Sequence, residues 1–244
     1  MQERIFTRIE RPDPQIVSGL ARLGVSTVYE AMGLSLGARQ LLEPAFQVLV
    51  ADQQIAGPAI TAQCSAGDNT MSHVVGVLAQ PGDVLVVAGG DPQTALWGDL
   101  TSLVAHVHRV AGVVVDGGVR DVRVIRELGL PVWARVVSPA RPAKGGPGSA
   151  NVPVRAGGVL IHPGDIVVAD DDGVVVVPRA SATEILARAE AREAREITLR
   201  SELIAGHHRA LYEALGIEKL LEAAGVETVD DSFDHWRERN GGRG

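Results

Sequence analysis

Apolar residues recur at helical intervals at the start of the chain, between residues 14 and 32. Gly24 interrupts this pattern just before Ser26 and Thr27, whose hydroxyls can cap a second short helix. The chain is therefore predicted to open with two helices. The apolar positions that define them are Ile16, Leu20, Leu23, Val28 and Met32.

Short apolar runs bounded by Gly and Pro follow and predict strands. Residues 84–88 and 166–169 each follow a Pro-Gly-Asp turn, which we interpret as recurrent turn chemistry. Asp170–Asp172 precede Gly173 between two Val-rich runs, and a hairpin turn explains them better than a metal-binding loop. The other predicted strands are residues 46–50, 59–64, 113–115 and 131–137.

The apolar pattern of residues 98–129 predicts a helix, a buried strand and a second helix. The first helix is predicted to end at Gly112 and the second at Gly129, with a Gly117-Gly118 turn after the strand. One face of the first helix collects Leu100, Leu103, Val104 and Val107. The inward face of the second helix is predicted to carry Val122, Ile125 and Leu128.

The pattern then divides the chain into three parts. Residues 1–180 are predicted to form an α/β core with N-terminal helices. Residues 181–229 are predicted to form a helical extension, because charged residues there alternate with apolar ones at helical spacing. Residues 230–244 are polar and Gly-rich, and we expect them to be poorly ordered.

Composition narrows the class of protein. The chain is rich in Val, Ala and Leu with only 3% aromatic residues, which is typical of an α/β domain. A net charge of -7 argues against nucleic acid as a partner. Cys64 is the single cysteine and lies in an apolar run, so we expect a buried, inert thiol. No apolar run approaches the length of a membrane span, so a cytoplasmic location without membrane contact is expected.

Helix and strand lengths bring three charged residues together. A helix of about eleven residues and a strand of about five cover similar distances of roughly 16 Å, so Asp99 should return to the same sheet edge as Arg120 and Asp121. Helix N-termini at this edge favour anions. Asp121 is a hard oxygen ligand for Mg²⁺ or Mn²⁺, and Arg120 supplies a planar cation.

A plain structural explanation for this spacing also exists. Asp99 would then be only a helix cap, and Arg120 and Asp121 would be first-turn residues joined by a surface ion pair. Spacing alone does not separate the two interpretations. The Gly117-Gly118 pair favours a functional site, since it lets a ligand approach the backbone closely.

The motif Asp99-x20-Arg120-Asp121 resembles that of the class II pyruvate aldolases, which cleave 4-hydroxy-4-methyl-2-oxoglutarate and 4-carboxy-4-hydroxy-2-oxoadipate. Their fold family also includes the regulator of ribonuclease activity A. The resemblance extends from about residue 23 to residue 226 through the segments VYEAMG, GDNTMSHV, QPGDVLVV, WGDL, VVVDGGVRDV, LGLPVWAR, GSANVPV and PGDIVVADDDGVVVVP.

The resemblance implies an architecture and an assembly. The expected fold is a layered α/β/β sandwich that resembles the swivelling phosphohistidine domain, with the C-terminal helices packing on a neighbouring subunit. The expected assembly is a homotrimer or homohexamer with active sites between subunits.

The resemblance also implies residue roles, with Mg²⁺ or Mn²⁺ as the cofactor. Asp121 would bind the metal directly and Asp99 through water. Arg120 would act on the keto oxygen as a catalytic residue. Glu196, or Glu193 one turn earlier, would be a catalytic residue reaching a neighbouring subunit's site. The pyruvyl carboxylate would be bound by the helix start at Gly98, Asp99, Leu100 and Thr101.

The implied reaction is retro-aldol cleavage of a 4-hydroxy-2-oxo acid to pyruvate plus pyruvate or oxaloacetate, with oxaloacetate decarboxylation as a side activity. A non-catalytic ribonuclease regulator and a lyase for another 2-oxo acid are the alternatives. The roles of Asn69, His73 and Lys144, which lie in matching segments, stay open.

Overall fold

The structure is a computed structural model that describes residues 3–89, 91 and 93–240. The helices are α1 (Pro14–Ala31), α2 (Gly33–Gln40), α3 (Thr70–Leu78), α4 (Asp99–Val107), α5 (Val122–Leu128), α6 (Ala182–Ile204), α7 (Ala210–Ala214), α8 (Ile217–Ala223) and α9 (Phe233–Asn240). The strands are β1 (Gln47–Val48), β2 (Ile55–Gln63), β3 (Val84–Ala88), β4 (Ala95–Trp97), β5 (Gly112–Val119), β6 (Val132–Val137), β7 (Ser149–Ala150), β8 (Val154–Ala156), β9 (Val159–Ile161), β10 (Ile166–Asp170) and β11 (Gly173–Val177).

One curled mixed sheet organises the chain, in the order β1-β6-β5-β3-β2-β10-β11. Its centre is parallel, with β2 beside β3, β3 beside β5, and β5 beside β6. The β10–β11 hairpin continues it antiparallel to β2, and β8 and β9 form a separate hairpin. The predicted α/β class is confirmed, and each strand predicted from a buried apolar run is present. The turn predicted at Gly117-Gly118 is wrong, because β5 continues through both glycines to Val119.

Three apolar clusters define the layers. On one face of the parallel strands, α3, α4 and α5 cover the sheet through residues such as Val75, Ala105 and Ile125. The opposite face packs on β8–β11, including Ile161 and Val176. A third cluster lies between the outer side of β10–β11 and the helices α1 and α6, and includes Leu20, Val28, Val168 and Ile185.

The apolar face of α4 does not pack on the sheet. The residues of this helix that are buried are Thr101, Ser102 and Ala105, which are small enough for close approach to the sheet. Trp97 Nε1 donates to Ser102 Oγ at 2.8 Å and fixes this orientation. The helix ends at Val107 and not at the predicted Gly112. The exposed fractions on the apolar face are 68% for Leu100, 47% for Leu103, 37% for Val104 and 69% for Val107.

The predicted break at Gly24 is present, but its cap differs from the prediction. Gly24 has a φ of 77°, inside the segment assigned as α1. The Val25 N–H donates to Asp170 Oδ2 at 2.7 Å, and the Ser26 hydroxyl donates to Asp172. The hairpin carboxylates therefore cap the second half of α1, which agrees with their interpretation as turn residues.

Both Pro-Gly-Asp turns use the same hydrogen bonds. Asp83 Oδ2 accepts from the Gln80 N–H at 2.8 Å, and Asp165 Oδ2 accepts from the His162 N–H at 2.9 Å. The glycines have φ values of 85° and 88°, as the third position of a type II turn requires. Asp83 is only 1% exposed and binds Arg11 through both carboxylate oxygens.

Replacing Asp83 by alanine is expected to destabilise the fold by about 2 to 3 kcal/mol, since it leaves the Arg11 cation and the Gln80 N–H without their buried partner. Urea unfolding followed by circular dichroism measures the loss. Glu184→Ala breaks an exposed ion pair with Arg188 on α6 and serves as the control, with an expected change within about 0.5 kcal/mol. Equal effects of the two substitutions would contradict the structural role of Asp83.

The chain divides into two compact units, Met1–Glu193 and Ala194–Gly244. The first unit runs past the expected boundary at residue 180, because Ala182, Ile185 and Ala189 of α6 are buried in the third apolar cluster. Within the second unit, α9 occupies part of the segment expected to be poorly ordered, and residues 241–244 lie outside the described range. Packing of the extension on a neighbouring subunit stays a prediction.

Cys64 is buried beside Ser72, and burial raises the pKa of its thiol, so the prediction of a buried cysteine is confirmed. No helix in the described residues combines the length and apolar character needed to cross a bilayer.

Candidate active site

The charged residues singled out from the sequence meet at the carboxyl edge of the parallel strands. Strand β4 pairs with the end of β5, and the Arg120 N–H donates to the Trp97 carbonyl at 3.0 Å. Asp99 follows β4 and begins α4, while Arg120 and Asp121 follow β5. This edge is where ligands bind in open α/β sheets.

We call the group formed by Asp99, Arg120 and Asp121 the corner, and Asp121 lies at its centre. Its Oδ2 lies 3.3 Å from the Asp99 N–H nitrogen and 3.3 Å from Arg120 Nε. Asp121 has a φ of 57°, a left-handed conformation that Asp and Asn tolerate better than most residues. The predicted convergence of these residues is therefore present, with the Arg120 and Asp121 side chains 39% and 36% exposed.

The start of α4 is tied together by short contacts. Thr101 Oγ1 accepts from the Gly98 N–H at 3.0 Å and donates to the Gly98 carbonyl at 2.9 Å. The Leu100 N–H donates to Asp99 Oδ1 at 2.7 Å. Two backbone N–H groups of the first turn thus bind carboxylates of the protein itself, which shows that this turn accepts anions.

Gly98 lets the corner form. An added Cβ would lie 2.8 Å from Asp121 Oδ2 and 3.2 Å from Arg120 Cγ. Both distances are shorter than ordinary contacts, so a side chain at position 98 would displace the two charged groups.

A cleft of about 230 Å³ opens beside this corner. Asp99, Arg120 and the start of α4 line one part of it. Three cations and one carboxylate line this cleft in a chain whose net charge is -7. The cleft is therefore suited to an anionic ligand. The remaining polar lining residues are Asn69, His73, Arg141 and Lys144.

The structure places the three residues of open role in one hydrogen-bonded group. Lys144 Nζ donates to Asn69 Oδ1 at 2.7 Å and lies 2.5 Å from His73 Nε2. Burial lowers the pKa of His73, and the neighbouring Lys144 cation lowers it further. The lowered pKa favours the neutral form of the His73 ring, and in that form its Nε2 can accept a hydrogen bond from Lys144.

Arg141 is a lining residue that the sequence interpretation missed. It lies in the bridging loop, defined here as residues 138–146, which leaves the end of β6 and crosses to the start of α3. The Ala140 carbonyl accepts from the Ala95 N–H at 3.0 Å, and the Ala143 N–H donates to the Gly67 carbonyl at 2.7 Å. The sequence feature that could have identified Arg141 is the pair of cations Arg141 and Lys144, which follow a predicted strand closely in an acidic chain.

The corner fits a divalent cation of the hard, oxygen-binding kind. Asp121 supplies a carboxylate beside the backbone N–H of Asp99, whose own carboxylate lines the cleft, and Mg²⁺ typically needs only one or two carboxylates because it keeps several waters. No group of three or more His, Cys, Asp or Glu side chains within residues 3–89, 91 and 93–240 forms a metal cluster. A site of this kind would therefore leave positions for water and substrate oxygens.

Glu193 and Glu196 both lie on α6, and Glu193 is the last residue of the first compact unit. Glu196 belongs to the second unit and pairs with Arg200 at 3.3 Å. The role of either glutamate in a neighbouring subunit's site stays a prediction.

Known proteins resemble this chain in sequence and fold. A Halalkalibacterium halodurans protein, provisionally named a 4-hydroxy-4-methyl-2-oxoglutarate aldolase, is 40% identical over 144 residues, or 59% of this chain and 69% of the relative. The crystal structure of Streptomyces coelicolor RraAS2, described as an unusual member of the RNase ES inhibitor RraA family, has a TM-score of 0.72 at 38% identity, covering 79% of this chain and 99% of that one.

A second solved structure, the RNA-processing inhibitor RraA from Thermus thermophilis, has a TM-score of 0.51 at 34% identity and covers 57% of this chain and 85% of that one. The RraA-like family model, described as Aldolase/RraA, matches residues 25–176, which include the whole corner. On this match the chain belongs to the RraA-like family.

Proposed function

We propose that the protein is a divalent-metal-dependent aldolase that cleaves 4-hydroxy-4-methyl-2-oxoglutarate or 4-carboxy-4-hydroxy-2-oxoadipate. The observation that carries the proposal is the corner itself, where Asp99, Arg120 and Asp121 meet beside a cation-lined cleft. The provisional aldolase name of the Halalkalibacterium halodurans relative supports the same reaction class.

The start of α4 would bind the pyruvyl carboxylate. Its first-turn N–H groups already donate to carboxylate oxygens of Asp99 and Asp121, so a substrate carboxylate can replace one of these acceptors at little electrostatic cost. The Thr101 hydroxyl hydrogen-bonds with the N–H and the carbonyl of Gly98. The contribution of Thr101 is therefore to hold the backbone of this turn in place.

The cleavage requires a group that accepts and stabilises the electron pair released when the C3–C4 bond breaks. The proton of the C4 hydroxyl leaves, the C3–C4 bond breaks, C4 becomes a carbonyl carbon, and the electron pair passes to the C2 oxygen as a pyruvate enolate. Arg120 stabilises this oxygen with a fixed guanidinium. Mg²⁺ or Mn²⁺, held by Asp121 directly and by Asp99 through water, would act as a Lewis acid when bound. Protonation of C3 then gives pyruvate.

Glu196 from a neighbouring copy is our candidate to take up the hydroxyl proton. The exposed apolar face of α4 supports an assembly, since Leu100, Leu103 and Val107 would otherwise face water, and Leu100 also lines the cleft. We propose a homotrimer or homohexamer that covers this face.

Loss of CO₂ from oxaloacetate forms the same enolate. We therefore expect oxaloacetate decarboxylation as a side activity that depends on Arg120 in the same way as the aldol cleavage.

A coupled assay of pyruvate release tests the proposal. Lactate dehydrogenase and NADH would report pyruvate from 4-hydroxy-4-methyl-2-oxoglutarate and from other 4-hydroxy-2-oxo acids. We expect activity with Mg²⁺ or Mn²⁺ and its loss with EDTA. Absence of pyruvate from all these substrates in the presence of metal would contradict it.

Gly98→Ala is expected to lower kcat/KM at least about tenfold, because the added Cβ would push Asp121 and Arg120 out of position. Gly76→Ala is a matched control, since its Cβ would meet only Val104 Cγ1 at 3.5 Å, an ordinary contact. The pyruvate assay and thermal unfolding together measure both variants. Unchanged kcat/KM in folded Gly98→Ala protein would contradict the proposed corner.

The alternative is a protein that binds a ribonuclease, and the match to 99% of RraAS2 favours it. Pull-down with purified ribonuclease E distinguishes the two functions. Stable binding together with no metal-dependent lyase activity would support the regulator.

A further inference from the structure

The cleft contains a cation that the proposed chemistry does not use. Arg141 lines the same cleft as Arg120 and is exposed. Within the described part of the chain, no hydrogen bond or ion pair joins its guanidinium to another residue. Lys144, by contrast, is held by Asn69 and His73.

The backbone holds Arg141 in place. The bridging loop is bonded to β4 through Ala140 and to the turn before α3 through Ala143. A further bond from the Gly146 N–H to Asp68 Oδ2 at 2.8 Å fixes its far end. A cation on an anchored loop offers a planar pair of donors with less ordering cost than one on a mobile segment.

We propose that Arg141 determines specificity by binding the second carboxylate of the substrate, at the end remote from the pyruvyl group. This rests on the proposed function, because that function places the pyruvyl carboxylate at the start of α4. Arg120 lies at that end beside Asp121, and Arg141 lines the same cleft, so the second carboxylate of a dicarboxylate bound there would pair with Arg141. The cleft therefore selects dicarboxylic over monocarboxylic 2-oxo acids.

The test measures binding and needs no turnover. Isothermal titration in Mg²⁺ compares 2-oxoglutarate with 2-oxopentanoate, which has the same chain length and a methyl group in place of the second carboxylate. Wild-type protein should prefer 2-oxoglutarate. Arg141→Ala should reduce this preference by about ten- to a hundredfold, as expected for a charge-assisted pair, and leave 2-oxopentanoate affinity within about twofold.

Two further variants separate a direct contact from other effects. Arg141→Lys should keep part of the preference, since it keeps the charge but not the planar donors. Arg39→Ala removes an exposed arginine that lines a different hollow and should keep all of the preference.

The proposal is overturned if wild-type protein shows no preference for 2-oxoglutarate, if Arg141→Ala leaves the preference unchanged, or if it weakens both ligands equally. A preference that depends on Arg141, found in a protein that cleaves no 4-hydroxy-2-oxo acid, would support this inference and refute the proposed aldolase activity.

Discussion

Arg120→Ala is expected to lower kcat for pyruvate release by about a hundred- to a thousandfold. The guanidinium lies beside Asp121 at the carboxyl edge of the sheet, where it can stabilise charge that develops only in the transition state. Removing one fixed donor of this kind typically costs about 3 to 4 kcal/mol of transition-state stabilisation. Steady-state kinetics with 4-hydroxy-4-methyl-2-oxoglutarate measures the change.

Two controls sharpen the Arg120 prediction. Arg123→Ala removes a neighbouring arginine that pairs with Glu127 on the exposed side of α5, and its kcat should stay within about twofold of wild type. Oxaloacetate decarboxylation by Arg120→Ala should fall by a similar factor to the aldol cleavage, because both reactions form one enolate. A kcat near that of wild type in folded Arg120→Ala protein would contradict the assigned role.

Asp121→Asn is expected to lower metal-dependent activity at least about a hundredfold, since a neutral amide is a much weaker ligand for Mg²⁺ or Mn²⁺ than a carboxylate. Asparagine tolerates the left-handed backbone at this position, where φ is 57°. The fold should therefore survive, and circular dichroism should be unchanged. The measurement is the Mg²⁺ concentration that gives half-maximal pyruvate release.

Asp99→Asn provides the comparison within the same corner. We propose that Asp99 acts through water, so its loss should weaken metal dependence less than the loss of Asp121. Equal Mg²⁺ requirements for wild type and Asp121→Asn, or a larger effect of Asp99→Asn, would contradict this division of roles.

The strands at the centre of the sheet could be predicted because their burial forces long Val-rich runs. The fixed rise of helix and strand also predicted that Asp99 and Asp121 would meet, and the bond between the Asp99 N–H and the Asp121 carboxylate confirms it. Four strands escaped prediction because segments of two or three residues carry too little periodicity. These are β4, β7, β8 and β9.

Other features depend on contacts between residues far apart in the chain. Asp170 caps the second half of α1 across 145 residues, which no local capping pattern reveals. Arg141 reaches the cleft only because the bridging loop bonds to β4 and to the turn before α3. The sequence shows that residue 141 is a cation, whereas the structure shows which residues line the cleft beside it and therefore which ligand it can bind.

The α4 helix shows how local patterning can identify a face without showing what covers it. Leu100 and Val107 lie on one face as the spacing predicted, yet that face is exposed, since Ser102 and Ala105 pack on the sheet instead. Hydrophobic periodicity alone does not distinguish a face that packs in the core from one available to another subunit.

A crystal structure with Mn²⁺ and pyruvate tests the central claim most directly, because anomalous scattering locates the metal independently of the protein chain. We predict a Mn²⁺ peak bound to the Asp121 carboxylate, with the pyruvate keto oxygen within hydrogen-bond distance of the Arg120 guanidinium. Mn²⁺ and pyruvate bound elsewhere, or an Asp121 corner without either, would contradict it.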